Sequence, residues 1–310
     1  MQHFRHYILL FLIIPLMAFA EDGSQLWLRY PVNPKPRNIV NSNSKSPTIE
    51  IAKKKELNQH WAGQAIDLKI DRLPENFKDG YKIVSTPKKI SILAKTDLGL
   101  LYGSYHLLNL QQQKADFSNL KLEEKPSYDV RILNHWDNLD GTIERGYAGH
   151  SLWKWEDLPN KISPRYEEYA RANASIGINA TVLNNVNASP NMLREDYLKK
   201  VKVLADIFRP YGIKVYLSVN FSSPKVLGGL QNSDPLNQDV QKWWKDKAAE
   251  IYKLIPDFGG FFGKSQFRRP ARTAGLRKNA CRWSEYDGRC PETLRWNCDV
   301  EGIRVQPEQR

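Results

Sequence analysis

The stretch "INATVLNNVNASPNMLREDYLKKVKVLADIFRPYGIKVYLSVNF" (178–221) decides the fold. "INATVLNNV" is a short apolar run rich in β-branched residues and reads as a strand. "NMLREDYLKKVKVLADIFRPYG" carries apolar residues at helical spacing and stops at Gly212. "IKVYLSVNF" is again a strand. A strand, a helix of this length and a second strand make a βαβ unit on a parallel sheet. The same rhythm flanks it: "YDVRILNHWDN" (128–138) and "SPRYEEYARANASIG" (163–177) before, "NQDVQKWWKDKAAEIYKLIPD" (237–257) and "FGGFFGK" (258–264) after. A (β/α)8 barrel is the leading architecture and a doubly wound open sheet the second. No Gly-rich phosphate fingerprint follows the first strand, which weakens the open-sheet nucleotide binder. A complete barrel takes ~250 residues, so the four strands seen before position 264 amount to its first half.

Upstream, residues 21–127 mix strand and helix. "SPTIEIA" (46–52), "GYKIVST" (80–86) and "KKISILAKT" (88–96) read as strands. "DLGLLYGSYHLLNLQQQ" (97–113) reads as an amphipathic helix, and "KLEEKPSYD" (121–129) as a linker. The first residues, "MQHFRHYILLFLIIPLMAFAEDG", place a basic start before an apolar run with small residues at Ala18 and Ala20. That is the pattern of a secretory signal peptide cleaved after Ala20, and the run is shorter than the ~20 residues of a membrane span. The expectation is a secreted or periplasmic protein with no membrane association after cleavage.

Composition changes abruptly near position 264. The chain carries a net charge of +12, yet residues 1–263 hold 25 Lys and 10 Arg, whereas 264–310 hold 2 Lys and 9 Arg. All three cysteines, Cys281, Cys290 and Cys298, fall in that last segment, without the paired spacing of a zinc site. The six histidines show no metal-ligand spacing either, so no metal is expected, and there is no nucleophile elbow.

In a barrel the active site lies at the C-terminal ends of the strands. Here those ends are "NHWDN" (134–138), "NNVNA" (184–188) and "SVNFSS" (218–223), rich in amides, carboxylates, hydroxyls and aromatic rings. Such groups bond sugar hydroxyls and cover the apolar face of a sugar ring. Each also has a bland reading: Trp136 as packing, and Asn184, Asn185 and Asn187 as loop braces. Of Trp243 and Trp244, one is expected to pack on the barrel. Four N-x-S/T matches begin at Asn173, Asn179, Asn187 and Asn220, and they matter only in a glycosylating host.

By "ILNHWDNLDGTIERGYAGHSLWKWEDLP" (132–159) the sequence resembles the α-glucuronidases of glycoside hydrolase family 67. "GINATVLNNVNA", "YGIKVYLSVNFSSPKVLGGLQNSDPL", "IPDFGGF" and "GSQLWLRY" extend the likeness over about 24–262. The resemblance implies a small hexosaminidase-like α/β domain (21–127) after the signal peptide (1–20), then the first half of the catalytic barrel (128–263). It implies inverting removal of α-1,2-linked 4-O-methylglucuronic acid from xylan-derived oligosaccharides, without a cofactor, and allows a homodimer for a full-length member. Trp136 matches the tryptophan lining the uronic acid pocket, Val186 the valine of its wall, and Lys264 the lysine that meets the substrate carboxylate. The family's general-acid glutamate falls at position 268, where this chain has Arg268.

The tail 264–310 reads as out of frame and disordered. Back-translating "SQFRRP" and moving one base later yields alanine–asparagine–serine–glutamate–glycine–glutamine, which resembles the family motif. "WNCDVEGIRV" similarly becomes family-like and places an arginine where this chain has Glu301. The rival reading is a genuine basic tail with Trp283 and Trp296, a nucleic-acid surface. It fits an exported protein poorly, so no nucleic-acid partner is expected.

Overall fold

The computed structural model of the chain describes residues 23, 25–33 and 40–263, and the backbone of Arg295–Asp299 and Gly302–Gln306. The expected signal peptide, Lys264, Arg268 and the cysteine side chains lie outside the described residues. Two sheets carry the fold. The first has five strands: β1 (Val40–Ser42), β2 (Ala65–Ile70), β3 (Tyr81–Ser85), β4 (Lys89–Ala94) and β5 (Lys121–Glu124), in the order β1-β2-β4-β3-β5. β1, β2 and β4 run parallel, and β3 is antiparallel to both β4 and β5. The alternation of β4 buries Ile90, Ile92 and Ala94.

Two expectations fail here. "SPTIEIA" is the start of a helical segment, α1, which runs through Pro47–Glu50, a π-helical stretch Ile51–Leu57 and Asn58–His60. The Ser46 hydroxyl caps it by accepting from the Ile49 amide at 3.3 Å, and Pro47 occupies the first turn, where its missing N–H is no loss. The apparent alternation of Ile49 and Ile51 belongs to a helical stripe that continues through Ala52, Glu56 and Leu57. Likewise "KLEEKPSYD" opens with β5, an edge strand that pairs with β3 before the chain leaves the sheet.

Helix α2 (Asp97–Gln112) crosses this sheet and, contrary to the amphipathic reading, is buried on most of its circumference as far as Leu108. A helix that is apolar all round is one covered on both sides. β4 lies under it and the second half of the molecule over it. Gly103 allows the close approach, because a Cβ there would stand 2.5 Å from Ile92 Cγ2.

The second sheet is β6 (Ile132–Asn134), β7 (Ala180–Val182), β8 (Lys214–Ser218) and β9 (Gly260–Phe262), all parallel and in chain order. Helices α3 (Arg165–Ser175), α4 (Glu195–Phe208) and α5 (Gln238–Leu254) link successive strands, as the alternation predicts. Trp244 of α5 is buried beside Phe221 and Phe261, with Trp243 packed edge-on against it. The helix-side residues join the first sheet in one continuous core. On the other face Ala180, Val182 and Tyr216 make a separate small cluster with Val130, Ile132 and Phe262. Gly259 is obligatory there, since a Cβ would stand 2.1 Å from the Tyr216 ring. Beyond β9, two strands, β10 (Arg295–Asp299) and β11 (Gly302–Gln306), pair antiparallel.

The two halves meet on a buried ion pair. Glu56, 0% exposed, accepts from Arg171 Nε at 2.6 Å and Nη2 at 2.8 Å, and from the Tyr105 hydroxyl at 3.2 Å. The guanidinium also stands over the Tyr30 ring. Beside this pair Glu167 accepts from Lys55 and, at 3.0 Å, from the Tyr211 hydroxyl. Bonding to Lys55 holds the Glu167 carboxyl below the usual range. Removing one partner of a buried pair strands the other charge, so Arg171→Met alone is expected to cost about 3–5 kcal/mol in a urea melt. Replacing Glu56 with Leu in the same chain restores most of that loss.

Burial pushes the Tyr30 phenol up from 10.0 to about 12, helped by the Glu56 charge. Tyr102, Tyr105 and Tyr211 at the same junction are raised further, mainly by burial. A raised folded value means stability fully present below pH 10 and lost as pH climbs through the folded values. Alkaline titration followed at 295 nm is therefore expected to show these phenols ionising together as the fold opens, above pH 10. Smooth ionisation near 10 within an intact fold counts against the junction as described.

Candidate active site

The sites suggested by the sequence cluster at the C-terminal ends of β6, β7 and β8. After Asn134 the chain extends the pairing by one bond, His135 N–H to the Val182 carbonyl at 3.1 Å, and then folds back on itself. Asp137 and Ile143 face each other across an antiparallel bridge. The amide of Asn138 donates to the Thr142 carbonyl at 2.8 Å, and that of Glu144 to the Trp136 carbonyl at 2.9 Å. Asp140 and Gly141 form the tip. The Thr142 hydroxyl and amide both donate to Asp140 and hold its carboxyl below the usual range.

Under this small hairpin lies a buried polar cluster. Asp137, 3% exposed, accepts from the Ser151 hydroxyl at 2.6 Å, and its Oδ1 lies 3.4 Å from His135 Nδ1. His135 Nε2 is 2.7 Å from the Tyr169 hydroxyl, itself 2.9 Å from Thr181 Oγ1. Burial pushes the Tyr169 phenol well above the ordinary tyrosine value, so it remains a donor. Because a carboxylate only accepts, the consistent arrangement has the Nδ1 proton facing Asp137, Nε2 accepting from Tyr169, and Tyr169 accepting from Thr181. The ring of His135 also packs on Trp153, which is fully buried among Tyr166, Tyr169 and Phe208.

Among the sequence candidates, Asn184 and Asn185 take the structural reading. Asn184 donates to the Ser218 carbonyl at 3.0 Å and accepts from the Ser218 amide at 2.9 Å, so it pins β7 to β8. The Asn185 amide N–H donates to the Asp137 carbonyl at 2.8 Å, while its side chain donates to Asn138 Oδ1 at 3.0 Å and the Glu144 carbonyl at 3.2 Å. These bonds bring "NHWDN" and "NNVNA" side by side. Trp136 and Val186 each sit one residue from the bonded pair, Trp136 with 38% of its surface open and Val186 half-buried. Asn187 is exposed, whereas Asn173 is buried and Asn220 is bonded to the Ala188 carbonyl. His135, Asp137 and Glu144 were not singled out by the sequence. His135 and Asp137 lay inside the quoted "NHWDN" end without a role of their own, and Glu144 had only the turn signal "NLDGT" before it. Among the described residues no group of three His, Cys, Asp or Glu could hold a metal ion, and no helix is long and apolar enough to cross a membrane.

The model of the glycosyl hydrolase family 67 middle domain matches residues 110–270, half of the chain. This chain belongs to glycosyl hydrolase family 67. Among its relatives are the alpha-glucuronidase of Hypocrea jecorina, 42% identical over 194 residues, and alpha-glucuronidase A of Emericella nidulans, 32% identical over 305. Those alignments cover 61% and 84% of this family 67 chain but only 23% and 36% of the relatives, so the chain spans a quarter to a third of their length. Among solved structures, a GH138 enzyme targeting pectin rhamnogalacturonan II superposes with TM-score 0.52 at 15% identity, over 71% of this chain and 30% of that one. At that identity the likeness is one of fold.

In this family 67 chain the Asp137 cluster braces the loop that carries Trp136. Asp137→Ala leaves the Ser151 hydroxyl and His135 Nδ1 without their acceptor, at a cost of about 1–3 kcal/mol. Hydrogen exchange at the amides of Asn138, Glu144 and Asn185 is expected to quicken in that variant. Unchanged protection of all three shows that the loop stands without Asp137.

Proposed function

We propose that residues 128–263 are the first half of a (β/α)8 barrel, and 21–127 the preceding α/β domain, of an exported α-glucuronidase. The substrate of that enzyme is α-1,2-linked (4-O-methyl)glucuronic acid on xylan-derived oligosaccharides. The family 67 match over 110–270 carries the reading. Trp136 and Val186, on adjacent loops at the ends of β6 and β7, are where such a site receives the sugar, and Lys264 meets its carboxylate by a charge-assisted bond.

The reaction needs two carboxyl groups in different roles. One is protonated and gives its proton to the leaving glycosidic oxygen, and the other is ionised and activates a water on the opposite face. Inversion sets them ~6.5–9.5 Å apart. Arg268 occupies the place of the proton donor, and an arginine is protonated at every working pH and donates no proton to a glycosidic oxygen. A chain with this sequence therefore binds sugar at most and does not cleave it. The out-of-frame tail accounts for the substitution: one base removed near the codons for Phe261 and Phe262 restores glutamate at 268.

The test is to purify both forms and assay release of glucuronic acid from aldouronic acid. The chain with Arg268 is expected to match the no-enzyme blank, and the frame-restored protein to turn over. Release by the chain with Arg268 overturns the assignment of position 268. Failure of the folded, frame-restored protein overturns the α-glucuronidase reading itself.

A further inference from the structure

Glu144 stands apart from every other residue of the candidate site. Its φ of 58° lies in the left-handed region, where side chains other than glycine are strained. Three bonds hold it there. Its amide donates to the Trp136 carbonyl at 2.9 Å, and its own carbonyl accepts from the side-chain amides of Asn138 at 2.9 Å and Asn185 at 3.2 Å. Backbone strain fixed so firmly belongs to functional sites more than to scaffolding.

The side chain supplies a second, independent observation. It is only 15% exposed, yet among the described residues its carboxylate receives no hydrogen bond. The nearest cation is Arg145, whose Nε is 3.8 Å from Oε1 and whose own side chain is 80% exposed. The Glu144 oxygens still reach solvent, so their accepting capacity is left for a ligand rather than spent on the fold. The hydrogen bond from the Glu144 amide to the Trp136 carbonyl makes the two residues neighbours across the loop. A carboxylate with unspent accepting capacity and a half-open indole thus belong to neighbouring residues of one loop.

Resting on the reading above, we propose that Glu144 is a sugar-binding residue, whose carboxylate accepts hydrogen bonds from hydroxyls of the pyranose ring stacked on Trp136. Vicinal hydroxyls supply the missing donors, and the strained backbone aims the carboxylate at them before the sugar arrives. Its charge also sets orientation. The substrate's own carboxylate is repelled from Glu144, which rejects a uronic acid ring docked the wrong way round.

Calorimetric titration of the full chain with aldouronic acid tests this, alongside Glu144→Gln and Glu144→Ala and with ligand-free melting curves for each. Glu144→Gln is expected to weaken binding roughly tenfold, the loss of one charge-assisted bond, and Glu144→Ala to weaken it further. Neither is expected to lower the melting temperature, because the carboxylate accepts no hydrogen bond from the fold and its ion-pair partner Arg145 is exposed. A clear fall in melting temperature for Glu144→Gln makes the carboxylate structural and overturns the proposal. So does unaltered binding by both variants, which leaves the Trp136 site standing without Glu144. A folded parent chain that binds no aldouronic acid removes the site and Glu144 with it.

Discussion

The buried pair of Glu56 and Arg171 is the constraint on which the rest of the structure depends. It is a costly way to join two halves, since both charges must leave water. The cost is met by bidentate geometry, by the Tyr105 hydroxyl and by the Tyr30 ring. What it secures is position. Arg171 lies on α3 two residues beyond Tyr169, the residue that bonds His135 beneath the site. A shift of α3 against the first sheet would therefore reach His135, Asp137 and the loop of Trp136.

At the sheet ends the polar side chains divide into two groups. Asn184, Asn185, Asn138, Asp137 and Ser151 spend their bonding capacity on one another and on backbone. Asn187 and Glu144 do not, and with the indole of Trp136 and the apolar Val186 they make up the less braced part of the rim. Rigid bracing below and unspent groups above is how a scaffold holds a binding surface ready without ligand.

The second sheet was legible in the sequence because its helices are long and periodic and alternate regularly with short apolar strands. The first sheet was less so. "SPTIEIA" is too short for a period of two to be told from a helical stripe by apolar positions alone, and only the Ser-Pro start favoured the helix. α2 misled through its few polar letters, because what covers it comes from residues far along the chain. In the site, Trp136 and Val186 emerged from family resemblance, whereas spacing alone left the asparagines undecided. Glu144 had no signal beyond the turn before it: a positive φ in a residue other than glycine is imposed by neighbours, here Asn138 and Asn185, that sequence patterns do not bring together.

The separation of the two apolar clusters has a consequence for synthesis. The main core uses the first sheet and the helix side of the second, so its members have all been made once the ribosome has passed Phe261. The inner cluster of Ala180, Val182 and Tyr216 is not needed to complete it. A nascent chain can thus dock α3, α4 and α5 onto the first sheet before anything is laid against the inner face. Later strands add to a platform already in place, so the order of translation is also an order of assembly.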